Sequence, residues 1–201
     1  IIDDRKPLSH KIKLPLQILA SVVVIHFWNF IPLDFGGAFG INNVGNIWGW
    51  VLMIAFFQFT INAINFMDGI NGLLGGYIVL VFSFLYLWSG SIESLEIKNI
   101  LASMTAGVIA FLYFNFRRTA ETFMGDAGST ALGLIAATAT TRIIQIVPTS
   151  SISLGNIDYS IPAFFIFVII FWYPLFDSLQ VYTRRIVRGN SPFIADRLHV
   201  H

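Results

Sequence analysis

Cysteine is absent from the 201 residues, and charged residues are scarce at 11%. Without cysteine, disulfides and thiolate metal sites are excluded within this sequence. A soluble domain carries about 25% charged and about 45–50% apolar residues, whereas this sequence is 56% hydrophobic, with a mean hydropathy of +0.74. Such a chain cannot cover itself with polar surface, so a bilayer is the expected solvent. The net charge of +1 argues against a nucleic-acid partner, because binding one requires clustered cationic surface.

An initiator methionine and a signal-peptide pattern are also lacking. The sequence begins Ile1-Ile2-Asp3-Asp4 and stops at His201. We therefore expect a fragment of a longer protein, with residues 1–201 forming a single transmembrane domain.

Six segments approach the roughly 20 apolar residues that a spanning helix needs. They are 14–31, 48–66, 73–89, 97–116, 130–147 and 161–181. The glycine-rich stretch 36–43 is too polar to span, so it is interpreted as an external loop or hairpin. The sequence thus predicts an all-α polytopic membrane protein with about six transmembrane helices in this fragment.

Basic residues are unevenly divided between the two faces that six spans create. Lys98 and Arg142 stand apart, whereas the other ten of the 12 basic residues lie in the N-terminal segment, the loop after the fourth span or the C-terminal segment. By the positive-inside rule, that face is cytoplasmic.

The N-terminal segment carries Asp3 and Asp4, followed by Lys13. Two adjacent carboxylates can hold a cation. The alternative is solvated charge that balances Arg5 and Lys6, which is the usual role of a charge run. The pair alone favours this alternative.

A second motif lies at the cytoplasmic end of the second span. Asn62, Asn65 and Asp68 recur every three residues, which places them on one helical stripe. Polar groups at this depth must face protein or water, and Gly69 and Gly72 allow a tight turn or a close approach to a ligand. The alternative is helix capping with interhelical hydrogen bonds, but the combination favours a binding site.

A third motif precedes the fifth span, where Asp126 lies between Gly125 and Gly128. A helix N-terminus favours anions, and glycines expose backbone N–H groups to phosphate. A carboxylate there can also hold Mg²⁺ that bridges to diphosphate oxygens. Alternatively, Asp126, Ser129 or Thr130 caps the helix, and this motif alone does not decide between the two.

The C-terminal segment combines four arginines with two histidines, namely Arg184, Arg185, Arg188, Arg197, His199 and His201. Arginine pairs bidentately with phosphate, and histidine donates to phosphate or carries protons. The alternative is a basic segment lying on anionic headgroups. Asp177, near the end of the sixth span, is interpreted as structural. Together the four motifs share one face and indicate a Mg²⁺-dependent phosphoryl-transfer site.

Four runs carry a family resemblance, namely IDDRKPLSHKIKLPLQ, NAINFMDGINGLLGG, FNFRRTAETFMGDAGSTALG and RRIVRGNSPFIADRLHVH. They resemble the polyprenyl-phosphate N-acetylhexosamine-1-phosphate transferases (glycosyltransferase family 4) over most of the chain. The ending is more similar to the UDP-N-acetylglucosamine branch than to phospho-N-acetylmuramoyl-pentapeptide transferase. The resemblance implies about ten transmembrane helices in the whole protein, a site on the cytoplasmic face of the inner membrane, and Mg²⁺, with Mn²⁺ as an alternative. A homodimer is compatible with it.

The motifs and the resemblance together nominate the site residues. Those expected to be catalytic are Asp3, Asp4, Asp68 and His199. Those expected to bind substrate are Lys13, Asn62, Asn65, Gly125, Arg185, Arg197 and His201, and the expected metal ligand is Asp126. The sequence departs from the family at Asn71, where members often carry aspartate, and the family's histidine cluster usually continues beyond His201.

The expected reaction moves N-acetylhexosamine-1-phosphate, with N-acetylglucosamine favoured, from a UDP-sugar to undecaprenyl phosphate, releases UMP and starts a cell-envelope polysaccharide. The lipid phosphate would attack the β-phosphorus, with Asp3 or Asp4 positioning it rather than deprotonating it, because a phosphate is largely ionised at neutral pH. A transporter is the alternative from another class, but its ionisable residues would lie near mid-span. A CDP-alcohol phosphatidyltransferase would need an Asp-x-x-Asp-Gly-x-x-Ala-Arg run, which is absent. A scaffold protein stays open.

Overall fold

The computed structural model describes residues 10–28, 30, 46–89, 95–116, 122–146, 149–154, 157–162, 170–174, 176, 180, 183, 186 and 187. Five long helices occupy most of them. These are α1 (His10–Phe27), α2 (Asn46–Phe66), α3 (Leu73–Trp88), α4 (Leu95–Asn115) and α5 (Gly125–Ile146), with a short 3₁₀ helix at Met67–Gly69. Residues 170–174 are also helical.

The helices form because long apolar runs can bury their backbone polar groups only in helical hydrogen bonds. Pro15 lies inside α1, in its second turn. Within the described residues, Ile47–Gly69 and Leu95–Asn115 are long and apolar enough to cross a membrane, while Ile12–Phe27 and Leu73–Trp88 are apolar but shorter. The first five predicted spans coincide with α1 to α5 within a few residues. Six membrane crossings stay a prediction.

The sixth predicted span, 161–181, overlaps a strand at its first two residues, while residues 170–174 within it are helical. Residues Ile157–Pro162 form β2, which pairs antiparallel with β1 (Thr149–Leu154), Thr149 opposite Pro162 and Leu154 opposite Ile157. The alternation Ile157-Asp158-Tyr159-Ser160-Ile161 has the period of a strand rather than of a helix. This hairpin is the exception to the all-α prediction.

Helix packing is arranged around the pair α2 and α5, with α1 against α2, α3 against α4, and α3 also against α5. The main core lies between α2, α3, α4 and α5, and its fully buried members include Ile64, Ile78, Phe82, Leu101 and Ala136. A second cluster joins α1, α2 and α5 through Ile25, Met53, Phe57 and Ala137. The bundle thereby holds α1, α2 and α5 side by side.

Successive helices alternate in direction, as the contacts at one end of the bundle show. The beginning of α1, the end of α2 and the beginning of α5 meet there through Lys13, Asn65 and Asp126. The backbone N–H of Gly72, just before α3, donates to Asn115 at the end of α4. The site described next lies at this end, which we call the polar end.

Candidate active site

Asp126 is the second residue of α5. The preceding residue, Gly125, adopts the backbone conformation with which the helix begins. Gly125 has a φ of +70°, a left-handed conformation that costs glycine little. The hydroxyls of Ser129 and Thr130 donate to the carbonyls of Gly125 at 2.9 Å and Asp126 at 2.6 Å. The carboxylate therefore projects from a braced first turn, where the positive end of the helix dipole favours negative charge.

Lys13 of α1 donates to the Oδ2 atom of Asp126 at 2.5 Å, across 113 residues of sequence. The Lys13 side chain is 19% exposed and that of Asp126 is 49% exposed. The Asp126 side chain is therefore more accessible to water than the Lys13 side chain. The sequence nominates Lys13 as a substrate-binding residue. The structure places it on the same carboxylate as the expected metal.

Asn65, near the end of α2, completes the group. Its Nδ2 atom donates to Asp126 Oδ1 at 2.9 Å and to Ser129 Oγ at 2.7 Å. Since an amide nitrogen carries two hydrogens, these two hydrogen bonds use both, whereas the amide oxygen can only accept from a donor or bind a cation. Lys13, Asn65 and Asp126, which the sequence nominated separately, thus form one hydrogen-bonded group from three helices.

Asn115 was not nominated from the sequence. Its side chain connects the residue before α3, Gly72, with the segment before α5 at Thr122. Its side-chain oxygen accepts from Gly72 N at 2.6 Å, and its Nδ2 atom donates to the carbonyl of Thr122 at 2.7 Å. The residue is only 5% exposed, and Gly72 has a φ of +78°. A buried amide at the end of an apolar span was the available signal, because polar groups there require partners.

The other nominated residues divide into two sets. Asn62 donates to the Gln58 carbonyl of its own helix at 2.7 Å, and Asp68 lies in the 3₁₀ helix, partly buried. Their substrate and catalytic roles stay predictions. Asn71 is exposed in the turn before α3. Asp3, Asp4, Asp177, Arg185, Arg197, His199 and His201 lie outside the described residues.

The site fits a magnesium ion only in part. Among the described residues, no group of three His, Cys, Asp or Glu side chains could hold a metal. Mg²⁺, however, commonly uses one or two carboxylates together with substrate phosphates and keeps several waters. A half-exposed Asp126 with the Asn65 amide beside it offers oxygen ligands of the required kind. The residues therefore fit an ion that is shared with a bound phosphate.

Comparison with known proteins identifies the family. The glycosyl transferase family 4 model matches residues 1–144. The undecaprenyl-phosphate alpha-N-acetylglucosaminyl 1-phosphate transferase of Escherichia coli O157:H7 is 32% identical, covering all of this chain and 53% of the relative. The decaprenyl-phosphate N-acetylglucosaminephosphotransferase of Mycobacterium leprae is 29% identical with the same coverage, and the undecaprenyl-phosphate enzyme of Yersinia pestis is 30% identical.

The chain therefore spans about half the length of the curated relatives it matches. The names of these relatives confirm the N-acetylglucosamine branch that the motifs indicated. Apolar helices and this family agree on a membrane protein. The chain belongs to glycosyl transferase family 4.

Proposed function

We propose that the protein containing this chain transfers N-acetylglucosamine-1-phosphate from UDP-N-acetylglucosamine to a polyprenyl phosphate, releasing UMP, at the cytoplasmic membrane face. The observation that carries the proposal is the Asp126 carboxylate at a helix N-terminus, shared by Lys13 and Asn65. Relatives with this activity in their names align over the whole chain.

The chemistry is a displacement at phosphorus. An oxygen of the lipid phosphate attacks the β-phosphorus, the bond from that phosphorus to the bridging oxygen breaks, and the oxygen leaves with UMP. Lipid and sugar are then joined by a diphosphate. The acceptor phosphate is already largely ionised at neutral pH, so positioning and charge neutralisation account for more of the catalysis than a base does.

The described residues supply those two requirements. Asp126 would hold Mg²⁺, which when bound supplies positive charge to the diphosphate oxygens. Lys13 carries a second positive charge, and its long side chain can turn from Asp126 towards an incoming phosphate. Asn65 fixes the orientation of the carboxylate through its 2.9 Å hydrogen bond. The N–H groups of the first turn of α5 face the same end and favour phosphate.

A transporter is disfavoured by the location of these groups. Lys13, Asn65 and Asp126 lie within about a turn of helix ends, whereas an ion pathway would place ionisable groups near mid-span. Names of relatives favour N-acetylglucosamine over the muramoyl-pentapeptide substrate.

The test uses the purified full-length protein with undecaprenyl phosphate, Mg²⁺ and a panel of UDP-sugars. UMP release and a lipid-linked product are expected with UDP-N-acetylglucosamine. The matched control is Asp126→Asn, which keeps the shape of the side chain and removes its charge. We expect UMP release in that variant to fall to background. Absence of UMP release with every UDP-sugar from folded full-length protein would overturn the proposed function.

A further inference from the structure

Gly133 of α5 packs against the backbone of Ile61 in α2. A Cβ atom added at Gly133 would lie 2.7 Å from the Cα, 3.3 Å from the carbonyl oxygen and 3.4 Å from the carbonyl carbon of Ile61. All three atoms belong to backbone inside a helix, so none can move aside without the helix moving. Small residues allow this kind of close approach between helices in membranes.

The contact between Gly133 and Ile61 lies one helical turn from the hydrogen bonds of Asn65, further from the polar end. Gly133 is one helical turn from Ser129 on α5, and Ile61 is one turn from Asn65 on α2. One turn further along, Ala137 packs in the same cluster as Phe57. Three contacts, each one helical turn apart, therefore join α2 and α5. They are Asn65 with Ser129, Ile61 with Gly133, and Phe57 with Ala137, and the contact at Gly133 is the one next to the site.

We propose that Gly133 is a positioning residue, because its missing side chain sets the helix separation at which Asn65 reaches both Asp126 and Ser129. The inference rests on the proposed function for its kinetic consequence. Carbon atoms pack at about 3.5–4.0 Å, so a methyl group at Gly133 separates the helices by about 0.8 Å. The bonds of 2.9 Å and 2.7 Å then lengthen to about 3.5–3.7 Å, beyond the range of a hydrogen bond.

Two other helical glycines provide matched controls. A Cβ atom at Gly76 in α3 or at Gly107 in α4 meets nothing within 4 Å. Alanine is the better helix former at all three positions, so intrinsic propensity does not separate Gly133 from its controls. Gly75 is less suitable as a control, since its Cβ would meet the Leu112 side chain at 2.6 Å.

The kinetic experiment compares Gly133→Ala with Gly76→Ala and Gly107→Ala in the full-length protein. A displacement approaching 1 Å can cost about 10²-fold in rate, so we expect kcat for Gly133→Ala to fall about 10- to 100-fold. The KM for UDP-N-acetylglucosamine changes less, because the substrate's own contacts remain. Both controls keep kcat within about twofold. Equal kcat in Gly133→Ala and the controls overturns the proposal.

A second readout does not depend on the enzyme activity. Asn65→Cys and Ser129→Cys place two thiols across the same contact, and no other cysteine lies within these 201 residues. With a short thiol-specific crosslinker, we expect the yield to fall several-fold when Gly133→Ala is added and to stay unchanged with Gly76→Ala. Equal yields overturn the spacing role. If the wild-type protein is inactive with every UDP-sugar while the double-cysteine variants show this crosslinking difference, the result contradicts the proposed function alone.

If Gly133→Ala does not insert or fold, Ala137→Val is the substitute variant. It also enlarges a side chain between α2 and α5, one helical turn further from the site. We expect crosslinking and kcat to change in the same direction and by a smaller factor. No change in either quantity overturns the proposal.

Discussion

Asn65→Leu tests whether the hydrogen-bonded group at the polar end contributes to catalysis. Leucine has a similar shape but removes the donors that reach Asp126 at 2.9 Å and Ser129 at 2.7 Å. A hydrogen bond to a charged group is worth about 1.5–3 kcal/mol and a neutral one about 0.5–1.5 kcal/mol. Asp126 is 49% exposed, so water replaces part of the loss, and we take about 2–3 kcal/mol. With this energy expressed in the transition state, where Asn65 holds Asp126 in place, kcat/KM should fall roughly 30- to 150-fold at about 1.4 kcal/mol per tenfold change.

The assay is UMP release by the full-length protein at saturating undecaprenyl phosphate, with Asn62→Leu as the matched control. Asn62 is the same residue type one turn away on α2, but its amide donates to the Gln58 carbonyl at 2.7 Å. We expect a several-fold effect or less there, and similar thermal unfolding temperatures for both variants. Equal losses of kcat/KM in the two variants would refute the argument that the contact with Asp126 matters more than polarity along the stripe.

Two further predictions concern Lys13 and Asn115. Lys13→Met should shift the unfolding temperature by only a few degrees, because an ion pair with a half-exposed carboxylate is worth about 0–1 kcal/mol, yet lower UMP release more than tenfold. A large loss of stability with normal turnover would contradict this. Asn115→Leu should lower the free energy of unfolding by about 2–4 kcal/mol, because the Gly72 N–H and the Thr122 carbonyl lose their partner, at about 1–3 kcal/mol per group. Thermal unfolding in detergent measures it, and a change below about 0.5 kcal/mol would show that water replaces the amide.

Apolar run length was sufficient to locate the helices from sequence. The predicted segments 48–66 and 73–89 differ by two residues or fewer from α2 and α3, because a long apolar run has one way to satisfy its backbone in lipid. The predicted segment 161–181 overlaps β2 by two residues, Ile161 and Pro162. Run length does not mark this boundary, because both apolar residues extend the run whether they belong to a strand or to a helix.

The site was predictable as separate motifs and not as contacts. Helical periodicity placed Asn65 on a polar stripe, and the flanking glycines marked Asp126 as a helix entry. Neither pattern shows that α1 brings Lys13 to the same carboxylate, because that depends on how α1 packs against α2. Asn115 has a sequence signal, an amide at the end of an apolar span, but its partners are backbone groups of Gly72 and Thr122, which that signal does not identify.

Lys13 and Asp126 are 113 positions apart in the sequence, and this separation has a consequence for biosynthesis. A nascent chain that contains only α1 and α2 already carries Lys13 and Asn65, but the carboxylate that pairs with both is still untranslated. Until α5 has been synthesised and packs against α2, this cation and this amide lack the carboxylate that they share in the folded protein. The site is therefore complete only after α5 has been added to the chain.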